Sequence, residues 1–106
     1  MLTHLVKFKT CLSEQRFYDA HEALEEVWYP KRFEKNAEVQ LLKGFINAAV
    51  SFELYKRGKK EQSKKVWANY LKYRHLLYKI TKNQKEFYQL SRFVEQINHQ
   101  NNVSLL

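Results

Sequence analysis

Apolar residues recur at intervals of three and four along nearly the whole chain, and this helical period has few interruptions. Only two glycines and one proline are present among the 106 residues, whereas a sandwich or barrel of short strands needs many turns. The period therefore predicts an all-α protein. We expect a single compact bundle of about five helices over residues 1–106, with short connections and a loose tail from about Asn101.

Residues that stop or cap helices mark several of the predicted boundaries. Pro30 ends the second helix, because the residue before a proline is pushed out of the helical region. Asn36 is a good N-cap for the third helix, and Gly58 is a natural stop in the left-handed conformation. Asn83 with Glu86 has the spacing of a capping box at the start of the fifth helix. The first four predicted helices cover roughly residues 2–12, 15–29, 37–57 and 60–81.

The apolar faces of these helices indicate how they pack. The third helix is apolar over well over half of its circumference, so we expect it to be central. Cys11 is predicted to be a small buried hydrophobic residue. The apolar side of the first helix is predicted to consist of Leu2, Leu5, Val6 and Leu12.

The cysteine content and the apolar runs bear on location. Cys11 is the one cysteine, so no disulfide can form within the chain, and a reducing, cytoplasmic compartment is expected. The longest uninterrupted apolar runs are about three residues, which predicts that no segment spans a membrane.

Several polar side chains fall on helix faces that the apolar pattern marks as buried. In helical projection His21 and Glu25 lie on the stripe that also holds Trp28, one turn apart. Glu53 and Arg74 occupy equivalent positions on the third and fourth helices. Burial of an unpaired charge costs several kcal/mol, so we expect these side chains to find one another in a buried polar network.

The same residues are candidates for chemistry. His21 and Glu25 at i and i+4 could ligate one divalent metal ion, with Glu53 as a third ligand. The three are also the candidate catalytic residues for acid–base chemistry, because a carboxylate beside a second carboxylate and an apolar wall has a perturbed pKa. We favour the interpretation that this network is structural and takes no part in a reaction. Under that interpretation no cofactor is predicted.

Charge is distributed unevenly along the chain. Residues 1–53 carry seven basic and eight acidic side chains, whereas residues 54–106 carry twelve and three. A basic surface on the fourth helix could bind nucleic acid weakly and without sequence preference. The candidate residues for this surface are Lys56, Arg57, Lys59, Lys60, Lys64, Lys65, Lys72 and Lys79.

Two blocks of sequence resemble a known family. Residues 17–28 read Phe-Tyr-Asp-Ala-His-Glu-x-x-Glu-x-x-Trp, and residues 42–50 read Leu-Lys-Gly-Phe-Ile-Asn-Ala-Ala-Val, with a glycine at 58. Both blocks resemble the family called domain of unknown function 309. The resemblance implies a small all-α fold and no particular activity. It marks His21, Glu22, Glu25 and Trp28 as the positions to test, and Glu53 stands near where many members have His.

These observations favour a binding or scaffold domain over an enzyme. A protein partner or a second copy of the chain is the expected kind of ligand. A metal-dependent or acid–base enzyme of the hydrolase type and a weak nucleic-acid binder are the alternatives.

Overall fold

Five α-helices joined by short connections make up the protein, in a computed structural model that describes residues 1–103. Two short 3₁₀ turns, Tyr29–Lys31 and His75–Tyr78, follow the second and fourth helices, and no strand is found in residues 1–103. The prediction of a single all-α bundle is confirmed. None of these helices is both long and apolar enough to cross a lipid bilayer. The helices are α1 (Leu2–Ser13), α2 (Phe17–Trp28), α3 (Ala37–Lys56), α4 (Lys60–Arg74) and α5 (Gln84–Val103).

Helix α3 is central in the bundle, as its apolar circumference predicts. It contacts α2, α4 and α5, and ten of its twenty residues are buried. The Phe45 ring lies 6.2 Å from the Phe8 ring of α1, 5.6 Å from the Tyr70 ring of α4 and 6.0 Å from the Phe87 ring of α5, measured between centroids. One phenylalanine of α3 therefore joins three other helices in the core.

Both predicted boundary signals of α3 are confirmed. The side-chain oxygen of Asn36 accepts a hydrogen bond from the backbone N–H of Val39 at 2.9 Å, which caps the first turn. Gly58 adopts a φ of +81°, and its N–H donates to the carbonyl of Tyr55 at 3.0 Å. This left-handed residue satisfies a carbonyl of the last turn and ends the helix.

Two further left-handed residues were not predicted. Gln15, with a φ of 60°, makes the turn between α1 and α2, so α2 begins at Phe17 rather than near residue 15. Asn83 has a φ of 56°, which differs from the extended backbone of an ordinary N-cap, and its carbonyl accepts from the N–H of Phe87 at 3.0 Å. The α-helical backbone of α5 starts directly after it.

Helix α4 is shorter than the sequence predicts. It ends at Arg74 rather than near residue 81, and a 3₁₀ turn continues the chain. The tighter winding of this turn brings Leu76 and Leu77 to the buried side, and Ile80 is buried just beyond it. Adjacent apolar residues therefore face the core here, instead of residues three or four apart as on an α-helix.

Helix α5 is longer than expected. It includes Asn101 and Asn102 and ends at Val103, so the tail predicted to be loose from about Asn101 is helical over its first three residues. Residues 104–106 lie outside the described residues.

The buried face of α1 differs from the prediction. Leu5 and Leu12 are buried as expected, but Leu2 and Val6 are exposed. Phe8 and Cys11 are buried with Leu5 and Leu12, at the i+3 and i+4 spacing of one narrow stripe. Leu5 and Leu12 belong to both the predicted and the observed stripe, and the packing of α1 against α2 and α5 determines which other residues are buried.

Candidate metal centre on helix α2

Helix α2 buries one face and leaves the opposite face to solvent. Phe17, Ala20 and Leu24 are buried in the core at the i, i+3 and i+7 spacing of one helical side. Tyr18 and Glu22 are exposed, and His21 lies half-buried at the boundary. The buried face fixes the helix against the bundle, so the polar side chains on its rim have a rigid base.

A histidine and two glutamates gather on this rim. His21 Nε2 is in direct contact with Glu25 Oε2 one turn further along, which is the pairing expected at i and i+4. The Glu22 carboxylate joins them, so that one potential ligand atom from each residue lies within 4.8 Å of the others. The side chains of His21 and Glu25 are 22% and 38% exposed, which leaves this His21–Glu22–Glu25 cluster accessible from solvent.

Tyr18 contacts two members of the cluster from the preceding turn. Its ring lies edge-on to the His21 imidazole, with 5.8 Å between the ring centroids. Its hydroxyl hydrogen-bonds to Glu22, and this bond raises the pKa of the Tyr18 phenol above its usual value. Tyr18 thereby holds the Glu22 carboxylate on the same side of α2 as His21, which is the role of an outer partner at a metal site.

The donor set of the cluster suits a particular class of ion. One imidazole nitrogen and two carboxylate oxygens are a mixed nitrogen and oxygen set, which Zn²⁺ and other first-row transition metals accept more readily than Ca²⁺ or Mg²⁺ do. Two carboxylates also balance the charge of a divalent ion. Three protein ligands leave coordination positions open, as at catalytic rather than structural zinc sites.

An acidic cleft adjoins the cluster. It has a volume of about 410 Å³ between α1 and α2, and Glu22 and Glu25 belong both to its lining and to the cluster. One lysine of α1 contributes the opposite charge to this cleft. The complete lining is Lys7, Glu22, Ala23, Glu25, Glu26 and Tyr29.

Glu53 lies near His21 but is paired with another residue. Both side chains line a cavity of about 240 Å³ between α2 and α3. The Glu53 Oε1 atom accepts a hydrogen bond from Arg57 Nε at 3.0 Å, one turn further along α3. The structure therefore brings Glu53 to the same cavity as His21 and places it in an ion pair with Arg57.

Arg74 does not join the predicted network. Its side chain is 45% exposed, and Nε donates to Glu95 Oε2 of α5 at 2.8 Å. The buried Tyr70 hydroxyl donates to the same oxygen, also at 2.8 Å. Helical projection places Arg74 on the inner arc of α4, but its long side chain reaches past that face to an acid on a different helix.

These contacts of Glu95 alter the acidity of both partners. Burial, followed by the hydrogen bond to Glu95, raises the pKa of the Tyr70 phenol. The hydrogen bond that Arg74 donates to Glu95 raises the pKa of the Arg74 guanidinium. The group is a structural link between α4 and α5, separate from the cluster on α2.

Trp28 is a packing residue at the end of α2. It is half-buried against the core. The centroid of its ring lies 6.4 Å from the centroid of the Tyr29 ring and 6.0 Å from the Nζ atom of Lys43. The four-residue network predicted from helical projection, with Trp28 beside it, is thus divided among separate places. His21 and Glu25 pair, Glu53 pairs with Arg57, and Arg74 pairs with Glu95.

The eight basic candidates for nucleic-acid binding are all exposed. Lys56 Nζ donates to the carbonyl of Gln15 at 3.2 Å. Lys60 and Lys72 lie over the rings of Tyr55 and Tyr73, at 5.8 and 5.9 Å from the centroids.

Helical projection left Glu22 and Tyr18 out of the α2 site, although the family resemblance marks Glu22 as a position to test. In that projection Glu22 points away from the apolar stripe. It is exposed, but its length lets it reach the His21 side of the helix. Tyr18 gave a usable signal, because it precedes His21 by three residues and Glu22 by four, and such residues are neighbours on a helix surface.

One comparison with known proteins identifies a family. Neither the curated proteins nor the solved structures include a match. A protein-family model described as "Domain of unknown function (DUF309)" matches residues 5–66. That span contains α2 and α3 completely, most of α1 and the first half of α4. The match covers more than half of the chain, and the protein therefore belongs to the DUF309 family.

Proposed function

We propose that this chain is a binding domain whose ligand is a divalent transition-metal ion held by His21, Glu22 and Glu25. The observation that carries the proposal is the distance of 4.8 Å or less that separates one potential ligand atom of each residue from those of the other two. An ion placed among these atoms would contact all three after small side-chain rotations. Backbone movement is not needed, because all three side chains belong to one segment of the rigid α2.

The surroundings support a cation at this place. Asp19, Glu22, Glu25 and Glu26 are the charged residues of α2, and the helix carries no Lys or Arg. Their summed field raises the local concentration of cations. Tyr18 orients Glu22, and the contact between His21 and Glu25 already places both side chains on the same turn.

The open coordination positions suggest what the ion is for. The acidic cleft beside Glu22 and Glu25 gives space for an additional ligand next to the ion. A carboxylate or imidazole from a partner protein, or from a second copy of the chain, would complete the coordination. A cytoplasmic location is part of this proposal, because Cys11 is a buried free thiol and a reducing compartment keeps thiols reduced.

The test is metal binding by untagged protein that has first been stripped with a chelator. Isothermal titration calorimetry with Zn²⁺, Mn²⁺ and Ca²⁺ would measure stoichiometry and affinity. We expect one Zn²⁺ or Mn²⁺ ion per chain and weaker Ca²⁺ binding. His21→Ala and Glu25→Gln should each lower the affinity by about tenfold or more, since each removes one of three ligands.

Glu26→Gln is the matched control, because Glu26 lines the same cleft but is outside the cluster. It removes one negative charge, as Glu25→Gln does, and should leave the affinity within about threefold. Circular dichroism would establish that each variant is folded. The proposal is wrong if the stripped protein binds no transition metal at millimolar concentration, or if Glu26→Gln weakens binding as much as Glu25→Gln.

A further inference from the structure

A strongly basic surface lies on α4, on a different face of α3 from the metal candidate. Residues 56–79 contain nine Lys and Arg residues and one acid, Glu61. Among the described residues, the ion pairs of this segment are those of Arg57 with Glu53 and Arg74 with Glu95. Lys56 bonds to the carbonyl of Gln15, and the other exposed lysines form what we call the α4 basic face: Lys59, Lys60, Lys64, Lys65, Lys72 and Lys79.

The position of two of these lysines is unfavourable for helix stability. Lys59 is the N-cap residue of α4 and Lys60 is its first residue, where the helix dipole already places partial positive charge. These basic side chains add to that potential, and Glu61 in the same turn offsets part of it. With Lys64 and Lys65 one turn further along, positive charge still exceeds negative charge at the N-terminal end of α4, which favours polyanions.

A polar cavity with aromatic walls opens at the same end of α4. Its volume is about 370 Å³, and Lys60 and Lys64 line it together with the Trp67 and Tyr55 rings. Amide side chains of α5 form the opposite wall, with Asn98 among them. Aromatic rings that stack on a base, amides that hydrogen-bond its edge and lysines that contact phosphate are the groups that recognise a nucleotide.

A further aromatic side chain lies at the other end of the α4 basic face. Tyr78 is 77% exposed and directly precedes Lys79. Between the cavity at Trp67 and Tyr78 lies Lys72, whose Nζ is 5.9 Å from the centroid of the Tyr73 ring. Interleaved cations and aromatic rings are the pattern with which proteins bind single strands without sequence preference.

We propose that the α4 basic face binds single-stranded nucleic acid, with phosphates on its lysines and an unstacked base in the cavity beside Trp67. An anionic membrane fits less well, because a helix that lies on a membrane inserts an apolar face. Trp67, Tyr70 and Tyr73 of α4 pack against the bundle core instead, and Leu71, 49% exposed, is a single apolar side chain rather than a face. Duplex nucleic acid fits less well because its stacked bases cannot enter a cavity.

The test is fluorescence anisotropy with a labelled single strand of about 12 nucleotides, titrated with the full chain at several KCl concentrations. We expect the affinity to fall steeply between about 50 and 200 mM KCl, with a logarithmic slope of about −0.7 per phosphate contact. A variant with Lys60, Lys64, Lys65 and Lys72 changed to Gln should lose about tenfold or more in affinity and show a shallower slope.

A matched variant tests whether affinity depends on the lysines of the α4 basic face or on the overall charge of the protein. Changing Lys7, Lys9, Lys31 and Lys35 to Gln removes the same charge from exposed positions outside α4, and should change the affinity by about twofold or less. Equal losses in the two four-lysine variants would overturn the proposal. Tyr78→Ala should weaken single-strand binding about fivefold or more, whereas Phe33→Ala, at a side chain 84% exposed and outside the face, should not.

Three competitors decide the class of partner. The same sequence as a duplex, phosphatidylserine vesicles and polyglutamate should each bind more weakly than the single strand at equal salt. Tighter or equal binding of any of them overturns the assignment to single strands. The outcome is independent of the metal proposal, because none of the substituted residues belongs to the His21–Glu22–Glu25 cluster.

Discussion

Gly44 of α3 lies so close to Tyr73 of α4 that a β-carbon added to the glycine would be 2.9 Å from the Tyr73 β-carbon. That atom is fixed to the backbone of α4, so the two helices would have to move apart to admit a methyl group. The glycine therefore sets the distance between α3 and the helix that carries the α4 basic face.

The Gly44→Ala variant should be less stable than the wild type by about 1–2 kcal/mol, although alanine favours helices over glycine by about 1 kcal/mol. Urea denaturation followed by circular dichroism measures this difference. Ala68→Gly on the exposed side of α4 reports the helix preference alone and should cost about 1 kcal/mol. A Gly44→Ala protein that is more stable than the wild type would show that the helices separate without cost.

The left-handed residues at two helix ends give a paired prediction. Gln15 and Gly58 have φ values of 60° and 81°, and only the second position carries the residue that adopts this conformation without steric cost. Gln15→Gly should therefore stabilise the protein by about 0.5–1 kcal/mol, and Gly58→Ala should destabilise it by about 1 kcal/mol. Thermal and urea unfolding of both variants would test the signs, and equal signs would contradict the explanation.

The strong local signals at both ends of α3 predicted its bounds well. Its expected and observed bounds differ by one residue at one end, because Asn36 and Gly58 act through short-range backbone hydrogen bonds. The end of α4 was less predictable. A 3₁₀ turn there depends on how Leu76 and Leu77 fit the core, which is a property of the assembled bundle.

The candidate site shows the same division between local and distant contacts. The pairing of His21 with Glu25 was predictable, since both residues lie one turn apart on one helix. The partner of Arg74 was not, because Glu95 is 21 residues further along the chain on another helix. Helical projection indicates which side of a helix a residue occupies, and says nothing about which acid a long side chain reaches.

Tyr18→Phe tests whether the outer partner of the metal candidate matters. The variant keeps the ring beside His21 and removes the hydroxyl that bonds to Glu22. If Glu22 is a ligand, the Zn²⁺ affinity should fall by several-fold up to about tenfold, because the carboxylate is no longer held in place. Calorimetry measures the change. Tyr29→Phe, at an exposed tyrosine of the adjacent cleft, is the control and should bind like the wild type.

The link from Tyr70 and Arg74 to Glu95 should contribute to stability mainly through the tyrosine. Glu95→Ala leaves the buried Tyr70 hydroxyl without the acceptor it has at 2.8 Å, and should cost about 2 kcal/mol. Tyr70→Phe should cost about 1 kcal/mol, and the double variant should cost less than the sum of both. Strict additivity in urea denaturation would show that the two side chains do not interact.

Glu38 ties the segment before α5 to the start of α3, and this contact should make stability depend on pH. Its Oε1 atom accepts from the backbone N–H groups of Thr81 and Lys82 at 3.0 and 3.3 Å. The bond from Thr81 is the main cause that lowers the pKa of the Glu38 carboxyl. A lowered folded-state pKa means that the contact stabilises the protein above the pKa of an unfolded glutamate and is lost as pH falls through the folded value.

Glu38→Gln should therefore be less stable than the wild type by about 1–2 kcal/mol at pH 7, because the charge-assisted bonds weaken. The difference should shrink as pH falls below about 4.3, the ordinary glutamate pKa, because the wild-type carboxylate then becomes protonated. Urea denaturation of both proteins between pH 7 and pH 3 measures this convergence. Glu34→Gln, at an exposed glutamate of the preceding loop, is the control and should show a small difference that does not change with pH. A Glu38→Gln difference that stays constant over this range would mean that neutral hydrogen bonding alone holds the contact.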